Sequence, residues 1–243
     1  MKKKPLLIAV LLFTAGSVFS QRALSFVTIN VWSGLSYEGT FKSKTYESRD
    51  ERSFRYGLLV NALKELDADV ISINEANMLP SYAKKLARDL EYDYIYAVRY
   101  AGVRLGQAGF PINAREGEII LAKKYLNLAL VGSRGLSGGY AGNFAAFHFG
   151  EATRVLSGRI TVGERDVYIF STHWYESEFA GGPQLRNLVD RFEEGGISSE
   201  MLLARVQDAM NGHETRAKEA VDTLAYIDEV SSGSAAIIMG TLG

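Results

Sequence analysis

Side chains alternate between two sides in "LSFVTINVW" (24–32), with Leu24, Phe26 and Thr28 on one and Val27, Ile29 and Val31 on the other. Both sides are largely apolar, which predicts a strand covered on both faces. The stretch "YESRDERSFRYGLLVNALKELDAD" (46–69) changes period. Ser48 or Asp50 offers a helix cap, and Phe54, Leu58, Leu59, Ala62, Leu63 and Leu66 follow at helical spacing. "DVISINEAN" (69–77) reads as a second strand, Pro80 opens a helix through about Leu90, and the aromatic alternation of "YDYIYAVRY" (92–100) reads as a third strand. A glycine-rich loop (102–117) leads into "EIILAK" (118–123) and "LNLALVG" (126–132), and "GLSGGYAGN" (135–143) forms another loop. "FAAFHFG", "TRVLSGRITVG" and "RDVYIFSTHW" predict three strands, the last two a hairpin across "GERD" (163–166).

From Gln184 to Val230 the pattern turns helical, and "HETRAKEAVDTLAYIDEV" (213–230) places Ala217, Ala220, Val221, Leu224 and Ile227 on one face. "SSGS" closes that helix. Five apolar residues, Ala235 to Met239, then run up to Gly240 and predict a buried strand with neighbours on both sides. No internal repeat and no Pro- or Ser-rich linker divides the chain, so one domain is expected. Strands interspersed with helices that pack outside them predict an α/β fold of sheet layers covered by helix.

The first twenty residues differ in kind. Lys2, Lys3 and Lys4 precede an apolar stretch from Leu6 to about Ala15, and Val18 and Ser20 stand at the −3 and −1 positions of a cut before Gln21. This is the layout of a secretory signal, and the apolar run is short for a membrane span of about 20 residues. The expectation is export to the periplasm or the exterior, with residues 21–243 as the mature domain; an uncleaved anchor is the alternative. Removing the three lysines leaves 24 basic against 28 acidic residues and takes the formal charge from −1 to −4. Bulk charge therefore gives no grip on nucleic acid, although a local basic patch is compatible with it. No cysteine is present, so an exported form depends on its core alone.

Three polar residues end or interrupt apolar strands: Asn30 in "TINVW", Glu75 in "VISINEAN" and His173 in "YIFSTHW". A carboxylate or imidazole at a buried strand end is costly unless paired or bound to a cation. Singly, each has a bland explanation: a turn cap, a solvated strand end, a satisfied core histidine. Three together are more telling, because strand ends of one sheet converge on one rim.

The ordered set "TINVW", "DVISINEAN", "EGEIILAKKY", "YIFSTHW", "ETRAKEAVDTL" and "AAIIMG" resembles the endonuclease/exonuclease/phosphatase superfamily from about Leu24 onwards. The resemblance implies two packed mixed β-sheets flanked by helices, a four-layer sandwich. It implies a metal-dependent phosphoester hydrolase; no obligate protein partner is evident in the sequence, and a monomer is expected. Its substrate would be a nucleic acid, a phospholipid headgroup or a small phosphoester, and the mild acidity favours the smaller ones. Carried over by position, Glu75 is the ligand of Mg²⁺ (or Mn²⁺), and Asn30 contacts the metal-bound site. His173 lies beside the scissile phosphate, stabilising charge or moving a proton. Glu116 orients this histidine, with Glu118 as a rival. Arg216 resembles a recurrent arginine, but a surface salt bridge is the preferred reading.

The resemblance also implies Asp-x-Asn after "AAIIMG", where this chain has Thr241 and Gly243. Threonine is no carboxylate base and glycine has no side chain. The expectation is therefore an incomplete domain whose C-terminal part is missing, poorly active and marginally stable. A non-catalytic protein that binds a phosphate ligand is the alternative. The stretch 175–212 reads as a helical insertion near the substrate rim, either a specificity element or a solvated decoration.

Overall fold

The computed structural model describes residues 23–37, 44–101, 115–137, 153–175 and 182–242. The signal segment 1–20, the strand expected at 144–150, most of the two glycine-rich loops and Gly243 lie outside the described residues.

In chain order the elements are β1 (Phe26–Asn30), β2 (Leu35–Tyr37), β3 (Lys44–Tyr46), α1 (Arg49–Leu66), β4 (Val70–Ala76) and α2 (Ser81–Leu90). They continue with β5 (Tyr92–Ala101), β6 (Arg115–Lys123), β7 (Ala129–Ser137), β8 (Thr153–Val162) and β9 (Arg165–His173). The last are α3 (Gly182–Glu193), α4 (Ser199–Ser231) and β10 (Ala235–Thr241). Strand β6 thus starts at Arg115, inside the segment expected to be loop.

Two four-stranded sheets form, in the orders β1-β4-β6-β5 and β10-β9-β8-β7, and β2 pairs with β3 separately. The pairs β1–β4 and β10–β9 are parallel and the remaining pairs in the two large sheets antiparallel, so both sheets are mixed. Hydrophobic parity explains the layering. Ile71, Ile73, Ile119 and Leu121 pack under α1 and α2. Their strand neighbours Val70, Ile120 and Ala122 face the other sheet and meet Leu156, Ile160, Ile169 and Met239. Val155 and Phe170, on the far side of the second sheet, pack against Tyr226 of α4. Helix, sheet, sheet and helix follow as four layers, the α/β sandwich expected from the sequence.

Helix α1 is capped by Ser48, not Asp50. The Ser48 side chain accepts from the Glu51 backbone and Glu51 reaches back to the Ser48 amide, a reciprocal capping box. Its buried stripe is Tyr56, Leu59, Val60 and Leu63, whereas Phe54, Leu58 and Leu66 face outward. Helix α4 departs further from expectation. It runs unbroken from the second half of the insertion through Gly212 to Ser231, and Val221 and Leu224 are exposed. The inward face is Glu219, Thr223 and Tyr226, and it is held by polar contacts. Glu219 accepts from the hydroxyls of Ser137 and Thr153 and from the Tyr175 amide, and Tyr226 Oη meets Ser157 Oγ at 2.9 Å. An apolar-stripe reading selects a face rotated from this one for that reason, and of the expected stripe Ile227 packs against the core. Strand β10 bonds to β9 on one side, and among the described residues it is the edge of its sheet; only Met239 in it is buried.

Candidate active site

On the faces where the two sheets meet, several strands change character in one direction. Strand β1 reads Phe26, Thr28, Asn30; β4 reads Val70, Ser72, Asn74; β5 reads Ile95, Ala97, Arg99; β9 reads Ile169, Ser171, His173. Strand β6 runs the other way and reads Glu116, Glu118, Ile120, Ala122. Pairing directions bring the C-terminal ends of β1, β4 and β5, and the N-terminal end of β6, to one rim of their sheet. Two polar bridges tie that rim to the second sheet. Ser72 Oγ meets Ser171 Oγ at 2.7 Å, and Asn74 Nδ2 donates to the Thr172 carbonyl at 3.2 Å.

At this rim Asn30, Glu75 and His173 come together. Asn30 Nδ2 donates to Glu75 Oε1 at 2.6 Å, the Ser33 amide donates to Oε2 at 3.3 Å, and His173 Nε2 lies 3.9 Å from Oε1. Glu75 takes this place through a bulge. The β4–β6 register shifts between Ile73 and Ala76, and Glu75 itself has φ 57°, a left-handed conformation costly for a non-glycine residue. A regular strand alternation puts residue 75 on the helix side with Ile73; the extra residue re-aims it into the rim. Asn30 turns its amide oxygen to the Trp32 N–H, 2.9 Å away. In this arrangement Asn30 steadies Glu75 with its nitrogen, and the carboxylate is the hard-oxygen group that could hold a cation.

Glu116 meets His173 through a residue that sequence reading passed over. Arg99 Nη2 donates to Glu116 Oε1, and Arg99 Nη1 lies 2.7 Å from His173 Nδ1. All three are buried. Arg99 sits where the β5–β6 register shifts between Val98 and Tyr100. Gly117 admits this close approach, because a Cβ there overlaps the Ala97 carbonyl and comes within 2.9 Å of the Arg99 amide. The signal for Arg99 was available in the parity of "YIYAVRY": it follows Ile95 and Ala97 on the inward face. Glu118 is fully buried, and neither carboxylate oxygen finds a partner among the described residues. Burial pushes its carboxyl up to about 7, against the pull of Arg99 and His173. Arg216, expected in a surface salt bridge, is half-buried, and its Nη1 has no hydrogen-bond partner among the described residues.

Thr241 of β10 is in register with His173, and its carbonyl accepts from the Trp174 amide at 3.0 Å. On the other side of β1 from Asn30, under α1, lies a cavity of about 340 Å³ lined by Ile29, Val31, Trp32, Arg55, Leu59 and Tyr82 among others.

No family model matches the sequence, and neither does any curated protein. Solved structures do. A mannosyl-6-phosphatase of Bacteroides thetaiotaomicron superposes with a TM-score of 0.52 at 16% identity, over 90% of this chain and 65% of that one. An endonuclease/exonuclease/phosphatase family protein of the same organism gives 0.52 at 15% identity, over 90% and 63%. The catalytic domain of human Nocturnin, with a bound sulfate, gives 0.50 at 13% identity, over 90% and 64%. The chain therefore has the endonuclease/exonuclease/phosphatase fold, and it spans somewhat under two thirds of the length of these structures.

Proposed function

We propose that this chain, built on the endonuclease/exonuclease/phosphatase fold, is a divalent-cation-dependent phosphoester hydrolase of slow turnover, exported by its first twenty residues. The observation that carries the reading is the convergence of Asn30, Glu75 and His173 on one rim through a strained bulge. Backbone strain of this kind persists where the surrounding structure enforces it, and clusters at functional sites.

The donor set fits a hard cation that keeps most of its water. Among the described residues no cluster of three or more His, Cys, Asp or Glu surrounds the rim. Mg²⁺ or Mn²⁺ takes only one or two protein carboxylates and leaves positions for water and phosphate oxygens. Glu75 would hold the ion while Asn30 Nδ2 and the Ser33 amide fix the carboxylate. The ion supplies charge neutralisation at the phosphoryl and leaving oxygens. His173, across the rim from Glu75, would meet the phosphoryl group. A monomer acting on a small phosphoester, a phospholipid headgroup or a nucleic acid end is compatible with this rim, as is the phosphatase named among the structural neighbours.

Turnover is slow because no carboxylate stands at Thr241, in register with His173. A threonine hydroxyl does not take a proton from water near neutral pH, and a positioned base is worth about 10²–10⁴-fold. The same residue favours a second reading, a phosphate-binding protein on the same fold. Incubation with p-nitrophenyl and bis(p-nitrophenyl) phosphate decides between them. Slow hydrolysis that needs Mg²⁺ and is lost in Glu75→Gln supports the enzyme. Absence of hydrolysis with Mg²⁺-dependent phosphate binding that Glu75→Gln removes supports the binding protein. Hydrolysis that survives both chelator and Glu75→Gln contradicts both.

A further inference from the structure

His173 can meet a phosphoryl group in two ways, as a base that takes a proton or as a donor that gives a hydrogen bond. The geometry at its other nitrogen separates them. A guanidinium has five N–H donors and no acceptor, so an Arg99 nitrogen at 2.7 Å from Nδ1 requires the ring's lone pair at Nδ1. The single ring proton then sits at Nε2, the nitrogen that points across the rim towards Glu75. At 3.9 Å that carboxylate is beyond hydrogen-bond reach of Nε2.

We propose that Arg99 is a positioning residue that fixes His173 as the Nε2-protonated tautomer, so that His173 presents a hydrogen-bond donor, not a base, to the phosphoryl oxygen. The inference rests on the phosphoester reading for its ligand, but the tautomer itself does not.

Three features hold Arg99 to this task. Glu116 takes Nη2, which aligns the planar guanidinium and offsets its charge. The β5 bulge at residues 98–100 and the missing side chain at Gly117 bring the Arg99 backbone close to β6. Burial of the guanidinium leaves it little rotamer freedom. An arginine held by a carboxylate on one nitrogen and an imidazole on the other reads the imidazole's lone pair in the way a carboxylate reads its proton, with the opposite tautomer as the result. A carboxylate directly on Nδ1 leaves the lone pair at Nε2 and makes a base. Arg99 reverses that choice, which accords with the absence of a carboxylate at Thr241.

The test is the nitrogen NMR spectrum of the histidine rings in the intact chain. Only His148, His173 and His213 contribute, and His173→Gln assigns the signal. The expected result at neutral pH is a lone-pair-type Nδ1 and an N–H-type Nε2 for His173. A nitrogen–nitrogen coupling across the hydrogen bond from Arg99 Nη1 to Nδ1 is also expected. Arg99→Met, which removes the donors, should give a mixed tautomer population. Addition of inorganic phosphate with Mg²⁺ should shift Nε2 and leave Nδ1 unprotonated. An Nδ1-protonated or doubly protonated ring in the wild type overturns the proposal, as does an Arg99→Met spectrum identical to wild type. Should Arg99→Met not fold, the coupling decides: its presence supports Arg99 as the cause and its absence refutes it. None of these readouts needs turnover, so a chain that hydrolyses nothing refutes the enzyme reading and leaves the tautomer result to stand or fall by itself.

Discussion

Glu118 carries a measurable electrostatic cost. It is fully buried on the face where the sheets meet, and its carboxylate oxygens have no hydrogen-bond partner among the described residues. Burial raises its carboxyl from 4.5 to about 7. In the unfolded chain the group ionises near 4.5, so between the two values the folded state holds a proton that the unfolded state has released. Stability from this group therefore falls as pH rises through that window and levels off above it. At 1.36 kcal/mol per pH unit the full difference is about 3 kcal/mol, and it includes the opposing pull of Arg99 and His173. The perturbation is Glu118→Gln, which keeps the shape and removes the titration. The assay is urea unfolding followed by tryptophan fluorescence at a series of pH values from about 4.5 to about 8. Titrating groups that do not interact with Glu118 cancel in the difference between the two proteins. The buried amide of glutamine adds a cost that does not depend on pH, so the slope is the readout. Wild type should lose about 3 kcal/mol relative to Glu118→Gln across the window. A difference that stays constant with pH refutes the account of Glu118 as a buried ionisable group with no hydrogen-bond partner among the described residues.

Glu219→Ala strips the acceptor from the Ser137 and Thr153 hydroxyls and the Tyr175 amide, and should cost about 2–4 kcal/mol in the same unfolding assay, detaching α4 from the second sheet. Gly240→Ala should destabilise on the order of 2 kcal/mol, because Gly240 has φ 124° and a Cβ there overlaps the Thr172 carbonyl; a neutral result refutes the close approach of β10 to β9. Thr241→Asp places a carboxylate in register with His173 and should raise Mg²⁺-dependent hydrolysis of p-nitrophenyl phosphate by about 10²-fold or more; no rise would show that the missing base is not the limiting feature.

The strands were legible where an element is apolar on both faces. "VISINEA" and "VYIFSTH" lie between helix and sheet layers, and apolar runs this short, too short for a typical buried helix, fit a strand buried on both faces. The helices were legible in extent but not in orientation. In α1 the true stripe lies close to the one chosen, because Leu58 and Leu59 are adjacent and composition alone does not rank them. In α4 the inward face centres on Glu219, Thr223 and Tyr226, so the rule that apolar residues point inward selects a face rotated from the true one: Ile227 packs against the core, whereas Val221 and Leu224 are exposed.

Asn30, Glu75 and His173 were visible as polar residues ending apolar strands. Their meeting depends on the bulge that turns Glu75, and no local pattern announces a bulge. Arg99 was missed because a single arginine in an aromatic strand reads as a solvated edge. Only the pairing of β5 with β6 shows that it follows Ile95 and Ala97 into the space between the sheets.

The central claim is that Glu75 holds a hard divalent cation at the rim and that His173 serves the phosphate instead. Titration with Mn²⁺, followed by the relaxation of solvent water protons, measures this without substrate. Binding should be weak in the wild type, since one carboxylate with water offsets little of the ion's dehydration cost. It should fall on Glu75→Gln and be little changed by His173→Ala. Loss of binding in His173→Ala with binding retained in Glu75→Gln would contradict the assignment of both residues, and with it the reading of the rim as a cation-dependent phosphoester site.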